Sequence, residues 1–162
     1  MRRIVSTAAL MFLFGSAFAQ TPAGPGEWRL GIDPANKRVS LYASTADNAD
    51  MRIVCTPKLS AWMMRVPKVE ALDNSAELLL TTDRGVEVTS RTIVQQQSTT
   101  TIVTALKGKA HTEALKAVAG ARRDMVVELK QAGKVMAQHT FAARASTAAA
   151  AAFETACAKQ RD

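Results

Sequence analysis

The residues whose type and spacing most plainly define a chemistry are the two cysteines, Cys55 and Cys157. They lie far apart with no Cys-x-x-Cys, so in an exported chain they predict a structural disulfide rather than a redox-active pair. Closing a loop of roughly 100 residues stabilises a fold by about 4–5 kcal/mol in the chain-entropy description. The only histidines are His111 and His139, and neither has a second His at metal-binding spacing. His139 could serve as a general base if a carboxylate oriented it, but Asp124 falls on the opposite face of the same hairpin. Gly-x-Ser-x-Gly, His-Glu-x-x-His and glycine-rich phosphate loops are absent from the sequence. No catalytic, cofactor-binding or metal-ligating set is therefore expected. Met51, Met63, Met64, Met125 and Met136 carry the soft thioether that copper carriers use, but they are dispersed over strand patterns without interleaved His. Core packing is their expected role.

A second kind of chemistry, recognition, is suggested by Trp62-Met63-Met64-Arg65. Trp, Met and Arg are enriched where proteins grip one another. Trp62, Met63 and Arg65 are the expected partner-binding residues. The competing reading is a strand with Trp62 and Met64 buried and Met63 half-covered.

Those residues have to be delivered to the right compartment and held by a scaffold. Residues 1–19 have the form of a cleavable secretory signal: Arg2-Arg3, an apolar run over 4–14, then Ala17-Phe18-Ala19 before Gln20. Removing it from the 162 residues leaves 143, suited to one domain with a modest core. Two of the 21 basic residues go with it, so 19 basic side chains face 14 acidic ones, a net charge of +5. That excess is mild and has no dense run, and nucleic acid is not an expected partner after export. No later segment is long and apolar enough to span a membrane as a helix. Residues 20–26 hold two Pro and two Gly and are expected to be a disordered leader; 27–162 form the single domain.

Within the domain, alternation predicts a hairpin that pairs Ile32 with Val39 and Leu30 with Leu41, with Asp33 and Arg38 closing it as a charge pair. Met51, Ile53 and Cys55 alternate next, which puts Cys55 on an inner face. Asp83-Arg84-Gly85 marks a turn between strands over 76–82 and 86–94, and residues 99–106 form another β-branched strand. A short helix is predicted over 111–119, stopped by Gly120. A last hairpin over 122–141 turns through a three-residue loop, Gln131-Ala132-Gly133, pairing Leu129 with Val135, Val127 with Ala137 and Met125 with His139. Ser146 caps a helix that runs through the alanines 148–152 to about Lys159, with Ala149, Phe153 and Cys157 on one stripe. The expected fold is α+β: an antiparallel sheet, sandwich or partly open barrel of about seven or eight strands, with the C-terminal helix packed on it.

The glycine-turned hairpin, Phe141, the Ser146-led alanine-rich helix and Cys157 together resemble the invasion-associated locus B family and some type VI secretion accessory proteins. Ala143-Arg144-Ala145 stands where a helix-entry glycine is expected. The resemblance covers roughly the last 40 residues and implies a bacterial periplasmic protein, non-enzymatic, linked to host or envelope interactions. From the residues themselves, the expected function is non-catalytic binding of a protein or envelope component in the periplasm; an association with virulence or secretion is what the resemblance implies. The alternative is an inhibitor or immunity protein that plugs a hydrolase or toxin with the Trp62 segment; a small exported enzyme would need His139.

Overall fold

The computed structural model describes residues 26–85, 87–106 and 108–161. The expected signal over 1–19 and residues 20–25 of the expected leader lie outside the described residues. Gly26 already belongs to the fold: its N–H donates to the Ser44 carbonyl at 2.7 Å.

Among the described residues, nine strands form one sheet: β1 (Arg29–Asp33), β2 (Arg38–Ser44), β3 (Asp50–Cys55), β4 (Ser60–Pro67), β5 (Glu77–Thr82), β6 (Glu87–Gln96), β7 (Thr100–Ala105), β8 (Asp124–Gln131) and β9 (Lys134–Ala142). Two helices, α1 (Ala110–Gly120) and α2 (Ser146–Arg161), complete the α+β domain. The spatial order is β1-β2-β3-β4-β7-β6-β5-β8-β9, an open sheet in which every pair is antiparallel. The strand count exceeds the expected seven or eight because the Trp62 stretch is itself a full strand, β4.

The first hairpin has the predicted register, Ile32 opposite Val39 and Leu30 opposite Leu41, and Arg38 reaches Asp33 at 3.3 Å. The last hairpin departs from its prediction. Ala132 and Gly133 both take positive φ, 50° and 77°, so the turn has two residues rather than three. Lys130 then pairs with Val135, and a bulge sets Leu129 opposite Ala137, Val127 opposite His139 and Met125 opposite Phe141. The bulge keeps Met125, Val127 and Leu129 on the buried face while Val135 is left exposed.

One face of the sheet holds the core. Leu41, Met51, Ile53, Trp62, Met64, Leu78, Leu80, Met125, Leu129 and Phe141 all bury there. The helices cover it together: α1 packs across β3 to β6, and α2 along β1 and β2. Leu115 and Val118 are buried on α1, and Ala149, Phe153 and Cys157 on α2, as the predicted stripes require. The sheet ends approach each other before the helix. Glu27 bridges Arg144 in parallel, and the buried Trp28 donates from Nε1 to the Ala142 carbonyl at 3.0 Å.

The entry to α2 differs from expectation. The Ser146 hydroxyl is buried without a hydrogen-bond partner among the described residues, so it does not cap. The chain turns into the helix through Ala145 at φ 61°, a conformation glycine adopts far more readily. At the other end of α2, Cys157 is bonded to Cys55, with Cα atoms 5.8 Å apart.

Two measurements check this architecture. Cys157→Ser should lower unfolding free energy by about 4–5 kcal/mol in urea titrations, and reductant should remove a similar amount from the wild type. Ala145→Gly should stabilise by up to ~1 kcal/mol, because relief of the left-handed alanine outweighs the added freedom of the unfolded chain. A destabilised Ala145→Gly variant would contradict the assigned helix entry.

Candidate binding face

Strand alternation decides what the Trp62 segment can touch. On β4, Trp62, Met64 and Val66 turn inward and bury completely or nearly so, while Met63 and Arg65 turn outward. Trp62 is therefore removed from the partner-binding set: it is core, and its Nε1 has no hydrogen-bond partner among the described residues. Nor is the segment a loop able to plug an active site, since β4 lies between β3 and β7. Met63 and Arg65 remain on the surface.

The turn between β3 and β4 sets the register that gathers their neighbours. Cys55 pairs with Ser60, so Asp50 stands opposite Arg65 and Arg52 opposite Met63. The adjoining β2 adds Arg38 and Ser40, and β7 adds Ile102 opposite Arg65. Arg38, Ser40, Arg52, Val54, Met63 and Ile102 thus line, with Arg65, a shallow depression of about 240 Å³ on the face away from the helices. Its floor is apolar and its rim carries three guanidinium groups.

Asp50 organises that rim. It is buried although it lies on the outer face. Its carboxylate accepts from Arg65, from Arg52 at 3.3 Å and from the Ser44 hydroxyl at 2.6 Å. A buried carboxylate must be paired and hydrogen-bonded, and two arginines, Arg52 from its own strand and Arg65 from β4, satisfy it while about half of each stays exposed. Arg52 also lies over the Tyr42 ring, 5.8 Å from its centroid. Each guanidinium has five donors, so engagement with Asp50 still leaves N–H groups directed to solvent.

Asp47 and His139 form the other notable polar pair. His139 Nδ1 and Asp47 Oδ2 are 2.8 Å apart, so the carboxylate that meets this histidine comes from the β2–β3 loop and not from Asp124. Asp124 faces the other side of its hairpin, as the sequence reading has it. The Thr45 hydroxyl, and then the His139 ring, hold the Asp47 carboxyl below the usual range. The pair ties the β2–β3 loop to the last strand, across the gap between the sheet ends. His111 lies on the first turn of α1, beside the Thr112 hydroxyl at 3.1 Å.

Met51, Met64 and Met125 are buried in the core and Met63 and Met136 half-buried, on four different strands. No helix among the described residues is long and apolar enough to cross a membrane. Comparison of the chain with protein-family models, characterised proteins and solved structures finds no match.

Asp50→Asn should cost roughly 1–3 kcal/mol of stability, because two arginines lose a buried charged acceptor. Arg65→Gln should cost under about 1 kcal/mol, since Asp50 keeps Arg52 and the Ser44 hydroxyl and the glutamine amide can still donate. Urea titration of both variants checks the ranking, and equal losses would deny Asp50 its organising role.

Proposed function

We propose that this chain is an exported binding protein that takes an acidic segment of a partner protein onto the arginine face. The observation that carries the reading is the rim itself: Arg52 and Arg65 are fixed by one buried carboxylate above the apolar floor of Val54, Met63 and Ile102. Ordering the guanidinium groups beforehand reduces what association must immobilise. Their planar forks suit carboxylates, which they can engage through paired hydrogen bonds. Met63 offers an adaptable apolar contact at the centre.

Export to the periplasm is part of the proposal. It is supported by the Arg2-Arg3, apolar and Ala17-Phe18-Ala19 pattern, and the disulfide is compatible with it. Of the expected partner-binding residues, Met63 and Arg65 stay in this reading, joined by Arg38 and Arg52, and the buried Trp62 leaves it.

Mass spectrometry of the exported protein should give a chain that begins at Gln20. A photo-crosslinking residue in place of Met63 should then capture one stoichiometric partner in the periplasm, and adding Arg65→Gln should reduce the yield about tenfold or more. The same crosslinker in place of Val135, exposed on β9, serves as the control. Equal yields from positions 63 and 135, or no effect of Arg65→Gln, would sink the reading.

A further inference from the structure

Among the described residues, two of the three most exposed large aliphatic side chains occur at one end of the sheet. Leu59 is 65% exposed and Ile32 55%. The registers set them at the same end, three strand spacings or roughly 14 Å apart: Ile32 pairs with Val39, Val39 with Cys55, and Cys55 with Ser60, next to Leu59. The β1–β2 turn, residues 34–37, and the β3–β4 turn, residues 56–59, therefore project from the same end. Thr56 N–H donates to the Leu59 carbonyl at 2.8 Å, and the Leu59 N–H to the Thr56 hydroxyl at 3.0 Å, so the second turn is held with its leucine displayed.

Lysines gather at this end. Lys37 and Lys58 are exposed, one on each turn. The Cys55–Cys157 bond brings the end of α2 to the same place, and Lys159, also exposed, follows Cys157 by two residues. The acidic residue at the first turn, Asp33, is engaged by Asn36 at 2.8 Å and by Arg38 at 3.3 Å.

We propose that this tip docks on an anionic lipid surface, with Leu59 and Ile32 entering the headgroup boundary and Lys37, Lys58 and Lys159 lying against the lipid charges. The cation type separates it from the arginine face. Protein interfaces favour Arg and are depleted in Lys, whereas clustered lysines beside exposed aliphatic side chains suit a hydrated, negatively charged bilayer. Leu59 stands on a turn and Ile32 near the end of β1, and neither lines the hollow that the two turns form between them. The tip is a different surface from the arginine face, and the inference does not rest on the function proposed for that face.

The test uses the processed chain, residues 20–162, with its disulfide intact. Sedimentation with vesicles of 3:7 phosphatidylglycerol and phosphatidylcholine should carry the protein down, and pure phosphatidylcholine vesicles should not. Binding should weaken as salt rises, since the attraction is screened. Lys37→Glu with Lys58→Glu should reduce partitioning by roughly tenfold or more, and Leu59→Ser should reduce it independently. Circular dichroism melts of each variant report folding, and either folded variant suffices to judge the tip. Absence of binding to the anionic vesicles overturns the proposal. So does binding that both tip variants leave unchanged but Arg65→Gln removes, which would assign the lipid contact to the arginine face.

Discussion

Residues 55 and 157 enclose 102 positions of sequence separation, and within that ring lie six of the nine strands, all of α1 and most of α2. The covalent tie matters because of what α2 is made of. Its buried stripe consists of Ala149, Ala150, Phe153 and Cys157, so a single large side chain supplies most of its apolar burial. Alanine stabilises the helix as a helix but contributes little to docking it, since the favourable term scales with apolar area removed from water. Small side chains do let the helix approach the sheet closely. The sulfur bridge offsets the shortage of apolar area by limiting how far the unfolded chain can separate the two elements. It also fixes the direction of α2, which begins near the end of β9 and finishes beside the start of the β3–β4 turn.

The same register that places Cys55 inward places Asp50 and Arg52 outward, because side chains alternate along β3. The staple and the arginine rim are therefore two faces of one strand. A slip of one residue in the β3–β4 pairing would exchange the faces, exposing Trp62 and Met64 and burying Met63 and Arg65. Burial of Trp62 thus specifies the register that aligns Arg65 with Asp50. A core tryptophan on β4 contributes to the surface site without touching it.

Much of this was legible from pattern. The first hairpin followed from alternating apolar residues on both sides of a turn, and the α2 stripe from four-residue spacing. Those signals are local. The last hairpin misled because the turn residues allowed more than one loop length, and the bulge at Leu129/Lys130 restored the apolar face by a different pairing. Ala143-Arg144-Ala145 did mark the α2 entry as unusual, and Ala145 now occupies the left-handed conformation for which glycine is suited. Asp47 escaped notice because it meets His139 across 92 residues, from a polar loop with no periodicity. Asp50 was missed for a subtler reason: at the edge of a polar loop it resembles a turn residue. Extending the alternation backwards from Cys55 and closing β3 on β4 through residues 56–59 would have set it against Arg65.

The surface chemistry also divides along physical lines. On the outer face the cations are arginines whose planar groups are oriented by Asp50 and stacked near Tyr42, an arrangement that limits their freedom. At the tip they are lysines, Lys37 and Lys58 on turns and Lys159 on α2, each a hydrated charge on a flexible stem. A net charge of +7 over the whole sequence says little by itself about recognition. What distinguishes the two regions is whether the backbone and a buried acceptor have already restricted the charge. Restriction favours a partner with geometry of its own, while freedom favours a fluid array of charges. Both arrangements follow from one β3–β4 pairing, which turns Arg52 and Arg65 onto the sheet face and leaves Lys58 and Leu59 at its rim.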